Sequence, residues 1–230
     1  MRAILFLFIP VLFSGCTSVY VASPTHIPLM EEKGDGHVSG SFGLNGFGVQ
    51  TGYGFTDNVG AVASTNFGKV AVAYDAADNS RYYSYTEGGI NYFTDVGTNG
   101  RTEFMGLIGN GKSELVRAHY NDVKREAFGR YMKYSLQNNA SFYLDKLNGG
   151  LSTRVSYINY YEYEDTSANE GDKTSAFFFE PAFFTGLNYK NVTLESQFGY
   201  SIPLTEQNDL AFDYDKIRLS VAVKFRFNSL

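Results

Sequence analysis

The chain has little of what marks several classes of protein. Its 230 residues contain one cysteine, no tryptophan and five prolines. The 24 acidic residues outnumber the 19 basic ones, which gives a formal net charge of −5 and no basic footprint for nucleic-acid phosphates. Beyond the N-terminus no stretch approaches the roughly 20 apolar residues of a membrane helix. These absences exclude nucleic-acid binding and membrane spans by helices, so any membrane span must be β.

Apolar and aromatic residues are abundant. Apolar residues make up 43% of the chain and charged residues 19%, a balance unlike that of disordered acidic tails or coiled coils. The aromatic content comes from 18 tyrosines and 20 phenylalanines, and there are 24 glycines. A chain of this length and composition is expected to fold around a substantial core.

The first fifteen residues predict a signal peptide that is removed from the mature protein. Arg2 gives a minimal positive region, and the apolar run from Ala3 to Phe13 is too short to span a membrane. The sequence Phe13-Ser14-Gly15-Cys16 that ends the run resembles the lipobox of bacterial lipoproteins. The resemblance implies that Cys16 becomes the acylated first residue, and Thr17 matches the family's default sorting to the outer membrane. The alternative is ordinary signal cleavage, with Cys16 left free or removed.

Residues 16–36 predict a lipidated, solvated tether. The stretch holds Pro24 and Pro28 and the cluster Glu31-Glu32-Lys33, and it shows no sustained hydrophobic period. His26 and His37 flank acidic residues there, but their spacing matches no zinc pattern. We therefore predict no metal site and no cofactor.

From residue 37 to residue 230 the hydrophobic period is two, which indicates β-strands in a single domain. The C-terminus shows it most clearly, because Ile217, Leu219, Val221, Val223, Phe225 and Phe227 alternate with more polar or smaller residues. Hairpin signals such as Asn45-Gly46 place the boundaries between strands. Ten strands are predicted near residues 37–44, 46–56, 59–74, 81–94, 101–109, 130–144, 150–163, 174–188, 191–202 and 214–227.

Two features of this strand pattern need a local explanation. Apolar residues between Ser113 and Arg130 fall near helical spacing and predict a short surface helix, which would carry His119. Pro181 falls inside the eighth strand, where it removes a ladder hydrogen bond. It predicts either a bulge or a shorter strand at that point.

The sequence resembles the small outer-membrane β-barrels of Gram-negative bacteria over residues 37–230. The C-terminal strand with its late aromatic residue Phe227 resembles the assembly signal of that family, and Tyr53–Val59 resembles one of its periplasmic hairpins. The resemblance implies a closed antiparallel up-and-down transmembrane barrel of about ten strands, with eight possible. It also implies outer-membrane lipid and lipopolysaccharide as surroundings, and the barrel-assembly machinery as a partner. A closed barrel is favoured in a bilayer because the hydrocarbon offers no hydrogen-bond partners for the backbone N–H and C=O groups of a free strand edge.

Two alternatives remain open at this point. The same alternation is compatible with a soluble β-sandwich lipoprotein that binds carbohydrate at the cell surface. A barrel of this kind could also be a narrow passive channel for solutes. Strand length, aromatic content and the C-terminal pattern favour the barrel.

The alternation of side chains between the two faces of each strand places a set of charged residues in the lumen of the predicted barrel. Since ten strands enclose a space that side chains largely fill, these charges are expected to pair with one another. The predicted network consists of Lys133, Arg154, Glu180, Glu195, Arg218, Lys224 and Arg226, with Glu87 and Glu103 as further members. The alternative role for this network is a polar pore or a proton path.

The sequence contains no set of residues that predicts catalysis. No serine with a neighbouring histidine and aspartate, and no cysteine with a histidine, presents itself. Acidic residues concentrate in the predicted long loops near residues 162–172 and 206–215, where they predict a solvated rim, with cation binding as the alternative. The prediction from sequence is thus a non-enzymatic envelope protein with a structural or interaction role.

Overall fold

The protein forms a barrel in its computed structural model, which describes residues 18–71, 80–118, 124–166 and 173–228. Cys16 and His119 lie outside these residues. The long strands are β1 (Asp35–Gly43), β2 (Gly46–Gly54), β3 (Val59–Ala71), β4 (Ser80–Val96), β5 (Gly100–Ala118), β6 (Lys124–Leu144), β7 (Leu147–Asp165), β8 (Ser175–Tyr189) and β9 (Val192–Tyr200). They are followed by a two-residue strand, β10 (Ile202–Pro203), a short 3-10 helix (Gln207–Asp209) and the last long strand, β11 (Ile217–Asn228).

The sheet is antiparallel and closes on itself. Each strand from β1 to β9 pairs with the next one along the chain, β9 pairs with β11, and β11 returns to β1. The closing register runs from Asp35 opposite Asn228 to Gly43 opposite Ser220. The prediction of a closed antiparallel barrel of ten strands is confirmed, and the sandwich alternative is wrong.

The two ends of the barrel differ in the length of their connections. The lower end carries the short turns at residues 55–58, 97–99, 145–146 and 190–191. The upper end carries the two-residue β1–β2 turn and the connections at residues 72–79, 119–123, 166–174 and 201–216. β1 starts at the lower end, and β4 and β11 start at the upper end.

The surface helix predicted from Ser113 to Arg130 is wrong for the described part of that stretch. β5 continues to Ala118 and β6 begins at Lys124. Ladder pairing with β4 and β7 gives these residues backbone partners, and the burial alternates from residue to residue as in the strands below. Leu115 thus faces inward and is buried.

Pro181 lies in the middle of β8, which is not shortened there. Below it β8 pairs with β9 from Ala182 onward, and above it β8 pairs with β10 from Phe179. The proline therefore sits opposite the break between two partner strands. A missing N–H costs least at such a break, because no regular ladder bond is formed there.

The barrel has a polar interior and an apolar exterior, which reverses the usual distribution in soluble proteins. Arg154 and Glu180 are fully buried, whereas 73% of Leu136 and 65% of Phe183 is exposed on the outer wall. An exposed apolar surface of this extent marks an interaction with a partner or a membrane.

The apolar residues of the outer wall form a continuous belt. On β6 the outward positions run from Met132 to Leu144 and include a single amide, Asn138, which donates to Thr102 Oγ1 at 3.1 Å. Charged outward residues such as Arg130 begin above that span. The belt matches a bilayer, which tilted strands cross in about 9–11 residues. Within the described residues, no helix is long and apolar enough to cross a membrane.

Candidate functional site

The residues before β1 pass through the lumen of the barrel. Every residue from Ser18 to Met30 is buried except Pro24, which is half-buried. We call residues 18–30 the lumen segment. The prediction of a solvated tether is wrong for these residues, because the barrel wall surrounds them on all sides. Among the described residues before β1, only Glu31 to Lys33 are exposed as expected.

The lumen segment runs from the upper end to the lower end. At the upper end Ser18 accepts a hydrogen bond at 2.6 Å from Arg81, near the start of β4, and contacts Asp215, just before β11. At the lower end the Met30 carbonyl accepts a hydrogen bond from Arg101, near the start of β5. The segment is therefore an extended plug along the barrel.

Polar side chains of the wall bind the backbone of the plug. The Ser23 carbonyl accepts hydrogen bonds from Arg154 at 2.7 Å and Arg218 at 3.0 Å. Gln197 forms a two-way bridge to Thr25, accepting from its N–H and donating to its carbonyl, each at 3.1 Å. A buried backbone group without a partner would be costly, so these bonds explain why an extended chain is stable here.

The next residues of the segment are held in the same way. Gln137 and Asn139 donate to the His26 carbonyl at 2.6 and 2.9 Å, and Lys224 donates to the Ile27 carbonyl. The Met30 N–H donates to Glu103 at 3.3 Å. Pro24 and Pro28 lack an N–H, which removes two donors that would otherwise need a partner in the lumen.

Glycines make room where Met30 passes the wall. A Cβ atom at Gly52 would lie 2.5 Å from Met30 Cε, and one at Gly60 would lie 2.7 Å from Met30 Sδ. Real Cβ contacts are not that short, so a side chain at either position would push against the plug. The end of the Met30 side chain thus lies in space that a side chain at either position would occupy.

A cluster of four charged side chains lies at mid-height in the lumen. We call Glu87, Lys133, Arg154 and Glu180 the central charge cluster. Arg154 joins both carboxylates, with its Nε 2.7 Å from Glu180 and its Nη1 3.7 Å from Glu87, and Lys133 Nζ lies 3.4 Å from Glu180. All four side chains are at most 1% exposed. Two positive and two negative charges thus compensate one another in a water-excluded space.

The plug contributes directly to this cluster. The Tyr20 hydroxyl donates to Glu180 at 3.0 Å, and His26 Nε2 lies 3.2 Å from Glu87. The rings of Tyr20 and Tyr85 flank Lys133, with their centroids 5.6 and 5.4 Å from its Nζ. The cluster is therefore built partly by the wall and partly by the plug.

The remaining predicted lumen residues lie above and below this cluster. Lys224 and Glu195 form a buried ion pair at 2.7 Å. Arg218 is buried and, besides Ser23, donates to the Pro181 and Tyr200 carbonyls at 3.3 Å each. The structure brings these residues into the lumen, each beside a polar group.

Two more sequence-predicted residues lie toward the lower end. Arg226 is partly exposed at the lower mouth, 3.3 Å from Glu31. Glu103 accepts from Asn91 at 3.2 Å and from Asn139 at 2.9 Å, besides the Met30 N–H. It is therefore held by amides.

The sequence-predicted site includes Arg154, Arg218 and Lys224, which bind the plug, but six other plug-binding residues were missing from it. Their inward direction follows from the same period of two that placed the charges. They are Gln50, Arg81, Arg101, Gln137, Asn139 and Gln197. The plug could have been inferred from the apolar residues of the N-terminal stretch, because large apolar side chains are unfavourable in a segment surrounded by water. These residues are Val19, Tyr20, Ile27 and Leu29.

Aromatic rings pack against one another in the lumen toward the upper end. Tyr20 packs on Phe178 and Tyr131, with ring centroids 5.0 and 5.9 Å apart. Phe212 from the β10–β11 connection packs on Tyr160 at 4.7 Å. Edge and offset ring contacts of this kind add to the stabilisation from burial. The connection is thus folded inward as a cap over the plug.

A loop contact holds the rim beside this cap. Lys173 Nζ donates to Asp209 at 2.7 Å, and this hydrogen bond raises the pKa of the exposed lysine. Burial raises the pKa of the Tyr214 hydroxyl on the same connection. The predicted acidic rim is therefore partly neutralised by basic partners, since Arg81 also pairs with Asp215 at 2.9 Å.

Among the described residues, no group of three or more His, Cys, Asp or Glu side chains is placed to hold a metal ion.

Two small cavities lie beside the plug among the described residues. One cavity of about 80 Å³ lies at the lower mouth between the plug and the wall, next to His37 and Arg226. Another, of about 20 Å³, lies near the β1–β2 turn beside Ala22 and Pro24. Each has room for a few water molecules at most.

Comparisons with known proteins return similar structures but no family. No protein-family model matches the chain, and no curated protein matches it. The translocator domain of the autotransporter NalP from Neisseria meningitidis has 10% identity and a TM-score of 0.46, with 84% of this chain and 86% of that chain covered. LpxR from Salmonella typhimurium has 8% identity and a TM-score of 0.39, with 83% and 99% covered. CarO of Acinetobacter baumannii has 13% identity and a TM-score of 0.29, with 88% and 100% covered. The similarity concerns the barrel fold alone.

Proposed function

We propose that this protein is an outer-membrane β-barrel of a Gram-negative envelope with a sealed lumen and a structural or interaction role. The membrane location is supported by the apolar belt around a closed barrel, because such a surface is stable in lipid and prone to aggregation in water. The upper end would then face the cell exterior, since short turns of such barrels lie in the periplasm.

The observation that carries the sealed lumen is the buried plug of residues 18–30. It occupies the lumen from Ser18 to Met30 and binds wall residues along its length. The charged residues of the lumen are engaged with one another or with the plug. This arrangement favours a stabilising role for the charge network over a pore, a proton path or an enzymatic site.

The rim of the upper end supports an interaction role. Above the belt, β5 continues from Lys112 to Ala118 and β6 from Lys124 to Arg130, so this hairpin projects on the order of 15 Å beyond the membrane. On the outer face, Arg130 of β6 forms an ion pair at 3.0 Å with Glu162 of the neighbouring strand β7. A polar wall of this kind suits contact with lipopolysaccharide or a protein partner, which remain predicted partners together with the assembly machinery.

We further propose that Cys16 carries the lipid anchor, as the lipobox resemblance implies. The purified chain is then expected to begin at Cys16 and to carry acyl chains in an intact mass spectrum. A mature mass without acyl chains would contradict the lipid anchor but would not affect the proposal of an outer-membrane barrel.

Planar lipid bilayers test the sealed lumen. We expect the purified full-length protein to insert without producing conductance steps, because residues 18–30 occupy the lumen along its length. Flotation of the same preparation with lipid vesicles controls for insertion, and an open porin controls for detection. Reproducible ohmic steps from the inserted protein would support the narrow-channel alternative instead.

A further inference from the structure

The apolar belt carries two neighbouring polar side chains at its mid-height. Asn138 is the fourth of the seven outward positions of β6 that run from Met132 to Leu144. Thr153 lies directly opposite Asn138 on the neighbouring strand β7 and also faces outward. We call Asn138 and Thr153 the midplane pair, and both are half-buried. In a membrane the pair lies in the hydrocarbon, which offers no hydrogen-bond partner.

The hydrogen bonds of the midplane pair are incomplete. The Asn138 amide nitrogen donates to Thr102 Oγ1 at 3.1 Å and to the Glu103 carbonyl at 3.0 Å, which uses both of its hydrogens. Within the described part of the chain, neither the Asn138 side-chain oxygen nor the Thr153 hydroxyl forms a hydrogen bond. The pair therefore presents an acceptor and a hydroxyl donor side by side.

Several other outward threonines are bonded within the barrel wall. Thr51 and Thr185 donate to backbone carbonyls of the neighbouring strands, at 2.9 and 3.3 Å. Thr65 of β3 and Thr86 of β4 bond to each other at 3.1 Å. A polar group without a partner in hydrocarbon is costly, so these bonds suit the lipid-facing wall. The midplane pair is satisfied in the same way only by a partner from outside the chain.

We propose that two copies of this chain associate in the membrane through the outer faces of β6 and β7, with the Thr153 hydroxyl of each copy donating to the Asn138 oxygen of the other. This inference rests on the proposed outer-membrane location. A donor beside an acceptor is complementary to itself under a two-fold axis, which is the commonest symmetry of homo-oligomers. Acyl chains supply neither group, whereas polar side chains that bond across an interface stabilise association in membranes.

Exposed apolar residues surround the midplane pair and complete this surface. Leu136 and Val155 lie next to the pair toward the upper end, and Ala140 and Leu151 lie next to it toward the lower end. All four are exposed on the outer wall. Packing of these side chains alone does not distinguish a second barrel from lipid, because acyl chains are equally apolar. The midplane pair thus fixes the register of the contact, since a shifted arrangement leaves its polar groups in hydrocarbon.

Cysteine cross-linking in lipid vesicles tests which face of the barrel is in contact. Thr153→Cys is expected to yield a covalent dimer with a short bifunctional thiol reagent. The matched control is Thr51→Cys, because Thr51 also faces outward but belongs to β2, on the opposite side of the ten-stranded wall. The parental chain controls for its one native cysteine, Cys16. Cross-linking of the control as efficient as that of Thr153→Cys would overturn the assigned surface.

Association in vesicles tests the hydrogen bonds. Energy transfer between copies labelled at Lys146→Cys, in an exposed lower turn, measures dimerisation as the protein is diluted with lipid. Thr153→Val removes both proposed bonds of the dimer and is expected to weaken dimerisation by about tenfold. Thr51→Val, the same substitution on β2, is expected to leave it unchanged. Equal dimerisation of the two variants would overturn the proposed bonds, and heat-shifted mobility on unboiled gels shows that each variant folds.

Flotation with the vesicles separates failure of this inference from failure of the proposed location. The parental protein is expected to float with the vesicles and to show energy transfer that falls on dilution with lipid. A protein that floats but remains monomeric at every lipid ratio would contradict the dimer and leave the membrane location intact. A folded protein that stays out of the vesicles would contradict the location itself.

Discussion

Replacing Arg154 with methionine is expected to lower the free energy of unfolding by about 3–5 kcal/mol. The change leaves Glu180 and Glu87 buried without the guanidinium that joins them, at 2.7 and 3.7 Å, and removes one of the two donors to the Ser23 carbonyl. Urea titration of the barrel in lipid vesicles, followed by the fraction that shifts on unboiled gels, measures the loss.

Arg130→Met is the matched control for this substitution. Arg130 also pairs with a glutamate, Glu162 at 3.0 Å, but both side chains are more than 40% exposed on the outer face. Exposed ion pairs contribute about 0–1 kcal/mol, so the control is expected to be close to the parental protein. Equal effects of the two substitutions would mean that the central charge cluster is not buried as described.

A double variant shows whether the loss comes from an uncompensated charge. Adding Glu180→Gln to Arg154→Met removes one of the carboxylates left without its partner. The loss in free energy of unfolding of the double variant is expected to be smaller than the sum of the losses of the two single variants, because neighbouring charges do not contribute additively. Strict additivity would contradict the coupling between these two residues.

The second large effect is expected on the outer wall. Leu136→Arg places a charge near the middle of the apolar belt, where its exposed leucine side chain would otherwise contact hydrocarbon. We expect a loss of about 2–4 kcal/mol in vesicles, which is the cost of arginine near the midplane of a transmembrane barrel. The same urea titration measures it.

Asn191→Arg controls for the added charge. Asn191 is exposed in the short β8–β9 turn at the lower end, outside the belt. Near the interface the cost falls to about 0–1 kcal/mol, so this variant should unfold close to the parental protein. An arginine that is tolerated equally well at both positions would show that the belt does not face lipid.

Much of the barrel could be predicted from the sequence because the pattern of a strand is local. The alternation at the C-terminus predicts β11, and the same period predicts which charged residues turn inward, such as Arg154 and Lys224. The ends of β5 and β6 were harder to predict, since a few apolar residues at helical spacing compete with the alternation around them. Pairing with β4 and β7 decides in favour of strand, and this pairing is not visible in a single sequence.

The plug could not be predicted from periodicity. An extended chain that is buried on all sides has no polar face, so its residues show no period of either kind. Its role depends on partners far along the chain, such as Gln197 for Thr25 and Arg101 for Met30. The two prolines that favoured a tether are also compatible with an extended segment that has few free donors.

Hydrogen–deuterium exchange of the plug tests the central claim, that the N-terminal segment fills a closed barrel. Measured by mass spectrometry on the full-length protein in lipid, peptides covering residues 18–30 are predicted to exchange as slowly as the strands. The exposed turn at Asp145 and Lys146 serves as the fast reference in the same sample. Exchange of residues 18–30 at the rate of that turn would show an open lumen and contradict the account.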